Sequence, residues 1–271
     1  MTDTLRVTML GTGSSGGVPR VGDDWGVCDP NEPRNRRRRC SILVERVGHD
    51  QATRPTRVLI DTSPDLREQL LDAGVIELDA VVYTHDHADQ THGIDDLRPV
   101  AYRMGKRLPA YLDRETAETL VHKFDYCFEG KGGYPPILEA QPLIYPGKAF
   151  CVDGPAGEVE LLPLRQQHGR IVSLGFRIGD LAYCNDVSDL PKESLSALEG
   201  VDTFIVDALR RTPHGSHSHL GQSLEWAEQI GARRTVITNL HIDMDYRALM
   251  AELPGSVEPA YDGMSLELAY S

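Results

Sequence analysis

The run VVYTHDHADQTHGIDD places His85, His87, Asp89, Gln90 and His92 directly after an apolar, β-like stretch. On a loop leaving a sheet edge, side chains at i, i+2 and i+4 can converge on one point. Imidazole nitrogens there suit Zn, Mn or Fe, and a carboxylate adds the negative charge that makes a second cation tolerable. Ligand types this dense after an apolar strand point to a metal site rather than a solvated histidine-rich loop. The chemistry on offer is hydrolysis, since a bound divalent ion lowers the pKa of water from about 15.7 towards ~7, and a second ion can clamp attacking and leaving oxygens.

Apolar alternation predicts the elements that must position this cluster. Strands are expected at Leu5–Leu10, Ser41–Glu45, Arg57–Ile60 and Asp79–Thr84, with a helix through Pro64–Ala73. A helix from about Gly93, a short strand near Ala110–Leu112 and a helix near Arg114–Phe124 follow, before a Gly/Pro-rich stretch at 126–147 that reads as an insertion or lid. Strands near Val159–Pro163, Val172–Ile178, Leu181–Asn185 and Thr203–Asp207 precede a helix with Leu220, Leu224, Ala227 and Ile230 on one face. A strand at Arg234–Thr238 and two short C-terminal strands complete the pattern. Many strands with helices between them suit an α/β fold of sheets flanked by helices, and no composition shift marks a linker, so 1–271 reads as one domain.

Composition narrows the partners. The net charge of −13 repels a polyanion over most of the surface, so long nucleic acid is disfavoured and a small phosphate on a local basic patch is not. No apolar stretch approaches the ~20 residues of a membrane helix, and an acid and an arginine interrupt the start, MTDTLRVTML. Five scattered cysteines without a C-x-x-C pair argue against a disulfide framework and fit a reducing cytoplasm.

The His85 cluster resembles the H-x-H-x-D-H signature of the metallo-β-lactamase superfamily, and the resemblance extends along nearly the whole chain. QQHGR, YCNDVSD and TNLHIDMD supply His168, Asp186 and His241 in the family's order, and Asp61 in VLIDTSPD fits the acid that ends an earlier strand. The resemblance implies a four-layer αββα sandwich in which His85, His87 and His168 hold one divalent ion, Asp186 bridges, and Asp89 and His241 hold a second. Gln90 stands where the family has a further histidine. Its amide is a weaker, neutral ligand that loosens the second position, favours an oxygen-preferring ion such as Mn²⁺ over Zn²⁺, or leaves His92 to refill it.

PHGSHSHLGQSLEWAEQIGA places His217 and His219 at a helix start and resembles the superfamily's phosphodiesterase branch. The resemblance gives His219 the role of assisting the leaving oxygen, with His217 accessory, as a metal-bridging hydroxide attacks a small, even cyclic, nucleotide or ribose phosphodiester. Helix capping by Ser218 beside two solvated histidines is the other reading. LGTGSSGGVPR and NRRRRCSILVE resemble the cyclic-phosphate phosphodiesterase family related to phosphoribosyl substrates. That family carries a structural zinc on a cysteine cluster and a late histidine. Here only Cys28 and Cys40 lie between the motifs and Met244 takes the late position, so no structural zinc is expected.

The arginines at 36–39 bind phosphate, pair with acids, or face solvent. Asp95 and Asp96 suit a helix first turn. Asp207 and Arg210 end a strand near enough to orient a ligand, and Trp25, Tyr126 and Tyr134 either line a lid or pack. Homodimerisation is a family expectation. The alternatives that keep the metals are a thioester or acyl hydrolase of the glyoxalase II type and a non-catalytic, metal-containing ligand carrier.

Overall fold

The computed structural model describes residues 2–50 and 52–270. The chain packs as two compact units, one of residues 1–10, 41–161 and 265–271, the other of residues 11–40 and 162–264.

In the first unit the strands are β1 (Asp3–Gly11), β2 (Ser41–Val47), β3 (Thr56–Ile60), β4 (Ala80–Val82), β5 (Leu108–Tyr111), β6 (Leu138–Ala140) and β14 (Ser265–Tyr270), in spatial order β14-β1-β2-β3-β4-β5-β6. β3, β4, β5 and β6 run parallel. Val58, Leu59, Ile60, Val81 and Val82 are fully buried, as expected for parallel strands covered on both faces. The crossovers carry α1 (Leu66–Asp72), α2 (Ala88–Thr91), α3 (Arg98–Met104), α4 (Arg114–Lys123) and α5 (Asp125–Phe128). Leu66, Leu97, Leu108 and Leu120 join Leu59 and Val81 in one core. Asp113 caps α4 by accepting from the Thr116 amide at 2.9 Å.

β7 (Phe150–Val152) pairs with the opening residues of β8 (Val159–His168), which leads into the second unit. There β9 (Ile171–Ile178), β10 (Leu181–Cys184), β11 (Thr203–Asp207), β12 (Arg234–Thr238) and β13 (Val257–Pro259) complete the order β13-β12-β11-β10-β9-β8-β7. β10 to β13 are parallel. They are connected through α6 (Lys192–Leu198), α7 (Leu220–Ile230) and α8 (Tyr246–Glu252). Trp226, Ala227 and Ile230 of α7 enter the core with Phe204, Val206 and Ile237, while Leu220 and Leu224 pack at its margin. Gly231, at φ 75°, ends α7 where a side chain would be strained.

Two expectations change in detail. The helix from Gly93 opens as a 3₁₀ turn over Ile94–Leu97 before α3, because Pro99 fits only a first helical turn. Within 126–147, expected as an irregular insertion, β6 pairs parallel with β5 and Ile137 and Leu138 are buried, while residues 131–135 are exposed. That three-residue strand is too short to show a period between its glycines and prolines. Among the described residues no helix is long and apolar enough to cross a membrane.

Candidate metal centre

In both units most of the chemistry-bearing side chains follow the carboxyl ends of parallel strands, where open α/β sheets place their ligands, while His168 ends the antiparallel strand β8 and His217 lies in the loop before α7. In the first unit, Asp61 follows β3 and His85 follows β4. In the second, Asp186 follows β10, Asp207 ends β11, and Asn239 and His241 follow β12. Asp61, Asp186 and Asn239 adopt φ of 64°, 51° and 62°, a left-handed turn that short polar side chains tolerate.

In the first unit, Asp61 is fully buried and accepts from the Thr84 amide and the Thr84 hydroxyl, each at 2.8 Å. Burial pushes its carboxyl up to about 8; the two Thr84 bonds oppose the rise and the negative charge of Asp89 adds to it. A cation beside Asp89 therefore favours ionised Asp61. Thr84 Oγ1 also lies 2.9 Å from His85 Nδ1. A hydroxyl has one proton, and once it goes to Asp61 the oxygen must accept from Nδ1–H, which turns the lone pair of His85 Nε2 outward. His87 is exposed, with its ring 4.5 Å from that of His85. Asp89 lies in the first turn of α2, Gln90 is buried, and His92 turns its ring edge-on to Phe124 at 5.7 Å.

In the second unit, His168, Asp186 and His217 each offer a ligand atom, all within 4.8 Å of one another. His168 Nδ1 donates to the Ser216 carbonyl at 2.5 Å. His217 Nδ1 lies 2.8 Å from Asp207 Oδ2. Asn185 Nδ2 donates to Asp186 at 2.7 Å, and Asn239 Nδ2 lies 3.2 Å from both Asp186 and Asp207. Burial raises Asp207, while the charge and hydrogen bond of His217 pull it back. His241 gives Nδ1 to Asp243 at 2.8 Å, and its Nε2 accepts from Arg20 Nη2.

His85, His168, His217 and His241 thus each engage Nδ1 with an oxygen and present Nε2, the usual arrangement of metal-binding histidines. Neutral imidazoles with nearby carboxylates fit divalent Zn or Mn. His219 takes a different place: its Nδ1 accepts from the Gln222 amide at 2.9 Å and caps α7, while Ser218 Oγ turns inward to the Asp207 carbonyl.

Sequence reasoning missed the roles of three residues. Asp207 is legible as a strand end able to orient a ligand but not as the partner of His217, Arg20 only as the last residue of the glycine-rich LGTGSSGGVPR, and Asn239 not at all. Of the arginine run, Arg37 is buried against Cys28 Sγ and Asn35, and Arg36 lies over the Trp25 ring at 5.2 Å.

Two sets of parallel strands delivering histidines and carboxylates at their carboxyl ends define a metal-binding α/β protein. The family described as "Beta-lactamase superfamily domain" matches residues 56–242, and the chain belongs to that superfamily of metal-dependent hydrolases. The α/β metallo-β-lactamase class expected from the sequence is the family's fold. A solved diphosphatase of the PhnP family is 36% identical, with all of this chain and 99% of that one covered and a TM-score of 0.87. A protein of Porphyromonas gingivalis (strain ATCC BAA-308 / W83) named octanoyltransferase is 33% identical over 264 residues, 96% of this chain. The match covers 51% of that relative, so the chain spans about half its length. Zn²⁺-bound PqqB from Methylobacterium extorquens shares the fold at 17% identity and a TM-score of 0.69, with 97% of this chain and 100% of that one covered.

Proposed function

We propose that residues 1–271 act as one phosphohydrolase that cleaves a P–O bond in a small phosphodiester or diphosphate. His85, His87 and Asp89 of the first unit and His168, Asp186 and His241 of the second would supply the donors for two divalent ions, Zn²⁺ or Mn²⁺. Gln90 leaves the second position short of a nitrogen ligand. Bound ions would supply an acidified water and neutralise phosphoryl charge.

The observation that carries the reading is the pairing of His217 with buried Asp207 beside Asp186. Asp207 fixes the ring with Nδ1 protonated and stabilises the imidazolium, so Nε2–H can be given to a departing oxygen. We therefore assign leaving-group assistance to His217 ahead of His219, whose lone pair serves the α7 cap. The PhnP-family diphosphatase supports phosphoryl chemistry, and the acidic chain supports a small substrate over long nucleic acid. A reducing cytoplasm suits its five free cysteines, and the family expectation of a homodimer is retained.

The test is hydrolysis of bis(p-nitrophenyl) phosphate by metal-stripped protein reloaded with Mn²⁺ or Zn²⁺. Metal-dependent turnover is expected, lost in His87→Ala with the metal and in His217→Ala without it. A second reading keeps the metals and hydrolyses an acyl thioester; the octanoyltransferase name of the Porphyromonas relative, about half of whose length the chain spans, supports only that an acyl substrate be tried. Turnover of octanoyl-coenzyme A, with no phosphoester cleavage by fully loaded protein, would overturn the first reading in favour of the second.

A further inference from the structure

The glycine-rich turn after β1 carries an arginine whose surroundings fit an anion. A Cβ on Gly13 would lie 2.8 Å from Arg37 Cβ and 3.0 Å from its carbonyl oxygen, so only glycine lets the turn pair with the arginine run. The pairing runs through Gly13 N to Arg38 O at 2.8 Å and Val18 N to Arg37 O at 2.9 Å. On this base Arg20 folds back: a Cβ on Gly16 would meet Arg20 Cγ at 3.2 Å and Nε at 3.3 Å. The Arg20 backbone is held by Asp24 through bonds of 2.9 and 3.3 Å.

The guanidinium is thereby delivered to His241 Nε2. Among the described residues no carboxylate forms an ion pair with Arg20, whereas Arg37 of the same segment is buried on Cys28 and Asn35. The Nε2 lone pair can serve Arg20 or a divalent ion, not both. Once an ion takes it, guanidinium and ion repel each other at short range unless an anion lies between them. A planar guanidinium with two parallel N–H groups matches phosphoryl oxygens.

We propose that Arg20 is a substrate-binding residue that holds a non-bridging oxygen of a second phosphoryl group, giving the site a preference for diphosphates over phosphodiesters. The proposal rests on the phosphohydrolase reading above. Gly16 is its positioning partner, because a side chain there displaces the arginine without removing its charge.

Calorimetry on Zn²⁺-loaded protein tests this with methylenediphosphonate and, separately, inorganic phosphate, with metal content measured in parallel. Arg20→Gln is expected to weaken methylenediphosphonate about 10- to 100-fold, with phosphate affinity and metal content nearly unchanged. Gly16→Ala is expected to give a smaller loss in the same direction, and Arg20→Lys a partial recovery. Tight diphosphonate binding unchanged in Arg20→Gln, or lost only together with metal, overturns the role of Arg20 while leaving the phosphohydrolase reading standing. If fully loaded native protein binds neither probe, that reading falls and the proposal with it.

Discussion

His217 Nδ1 and Asp207 Oδ2 lie 2.8 Å apart, with the carboxylate fully buried and the imidazole reaching towards Asp186. An acid desolvated to this degree is tolerable because the ring it faces can carry positive charge, so the pair is built to hold a proton.

Asp207→Asn removes that stabilisation while keeping the shape. The expected outcome is a fall of about 10²- to 10³-fold in kcat with metal content retained, within the range of general acid–base catalysis. The alkaline limb of the pH–rate profile, where the His217 acid loses its proton, should also move to lower pH, because the carboxylate that stabilises the imidazolium is gone. An unchanged profile would detach Asp207 from the proton transfer.

Thr84→Val tests the orientation of His85. Valine keeps the volume at this buried position but loses the hydroxyl that links Asp61 to Nδ1. Loss of such a partner typically weakens metal binding about 10- to 100-fold. Competition with a chromogenic chelator would show it, and an unchanged affinity would leave Thr84 a purely structural residue.

His219→Ala separates capping from catalysis. It should cost about 0.5–2 kcal/mol in denaturant unfolding through loss of the bond to Gln222 N, with kcat within a few-fold of the parent. His219→Asn should restore most of the stability. A collapse of kcat in a stable, metal-loaded His219→Asn protein would return leaving-group assistance to His219.

Asp262 gives a pH signature well away in sequence from the proposed ligands. It accepts from Thr12 Oγ1 and the Arg38 amide at 2.8 Å each, and burial pushes its carboxyl up to about 7 despite those bonds. Between about pH 4 and 7 the folded chain holds a proton that the unfolded chain has released, so stability is lost as pH rises through the folded pKa. Asp262→Asn abolishes this term. The variant should gain on the parent by a few kcal/mol, of order 4 at most, as denaturation is followed from pH 4 to pH 8. A pH-independent difference would show that the carboxyl titrates normally.

In the sequence by itself, apolar alternation made most of the strands and the helices α1, α4 and α7 readable before folding, though not β6, β7, α6 or α8, and it made the first candidate ligands readable. VVYTHDHAD is legible because an apolar strand fixes where its loop starts, and spacing of two puts successive ligand types within reach of each other. His168, Asp186 and His241 were legible only through the order of a known family, since nothing local distinguishes them from ordinary turn residues. Tertiary structure alone decided the rest. Whether His217 or His219 faces the acids depends on which residue ends the extended segment and caps α7, and a spacing of two leaves that phase open. Asp207 and Asn239 acquire their partners from the parallel register of β11 and β12, which pairs Asp207 with Thr238, and Arg20 from a glycine turn that folds it back onto His241. These are contacts between residues up to hundreds of positions apart, and no local pattern of residue types encodes them.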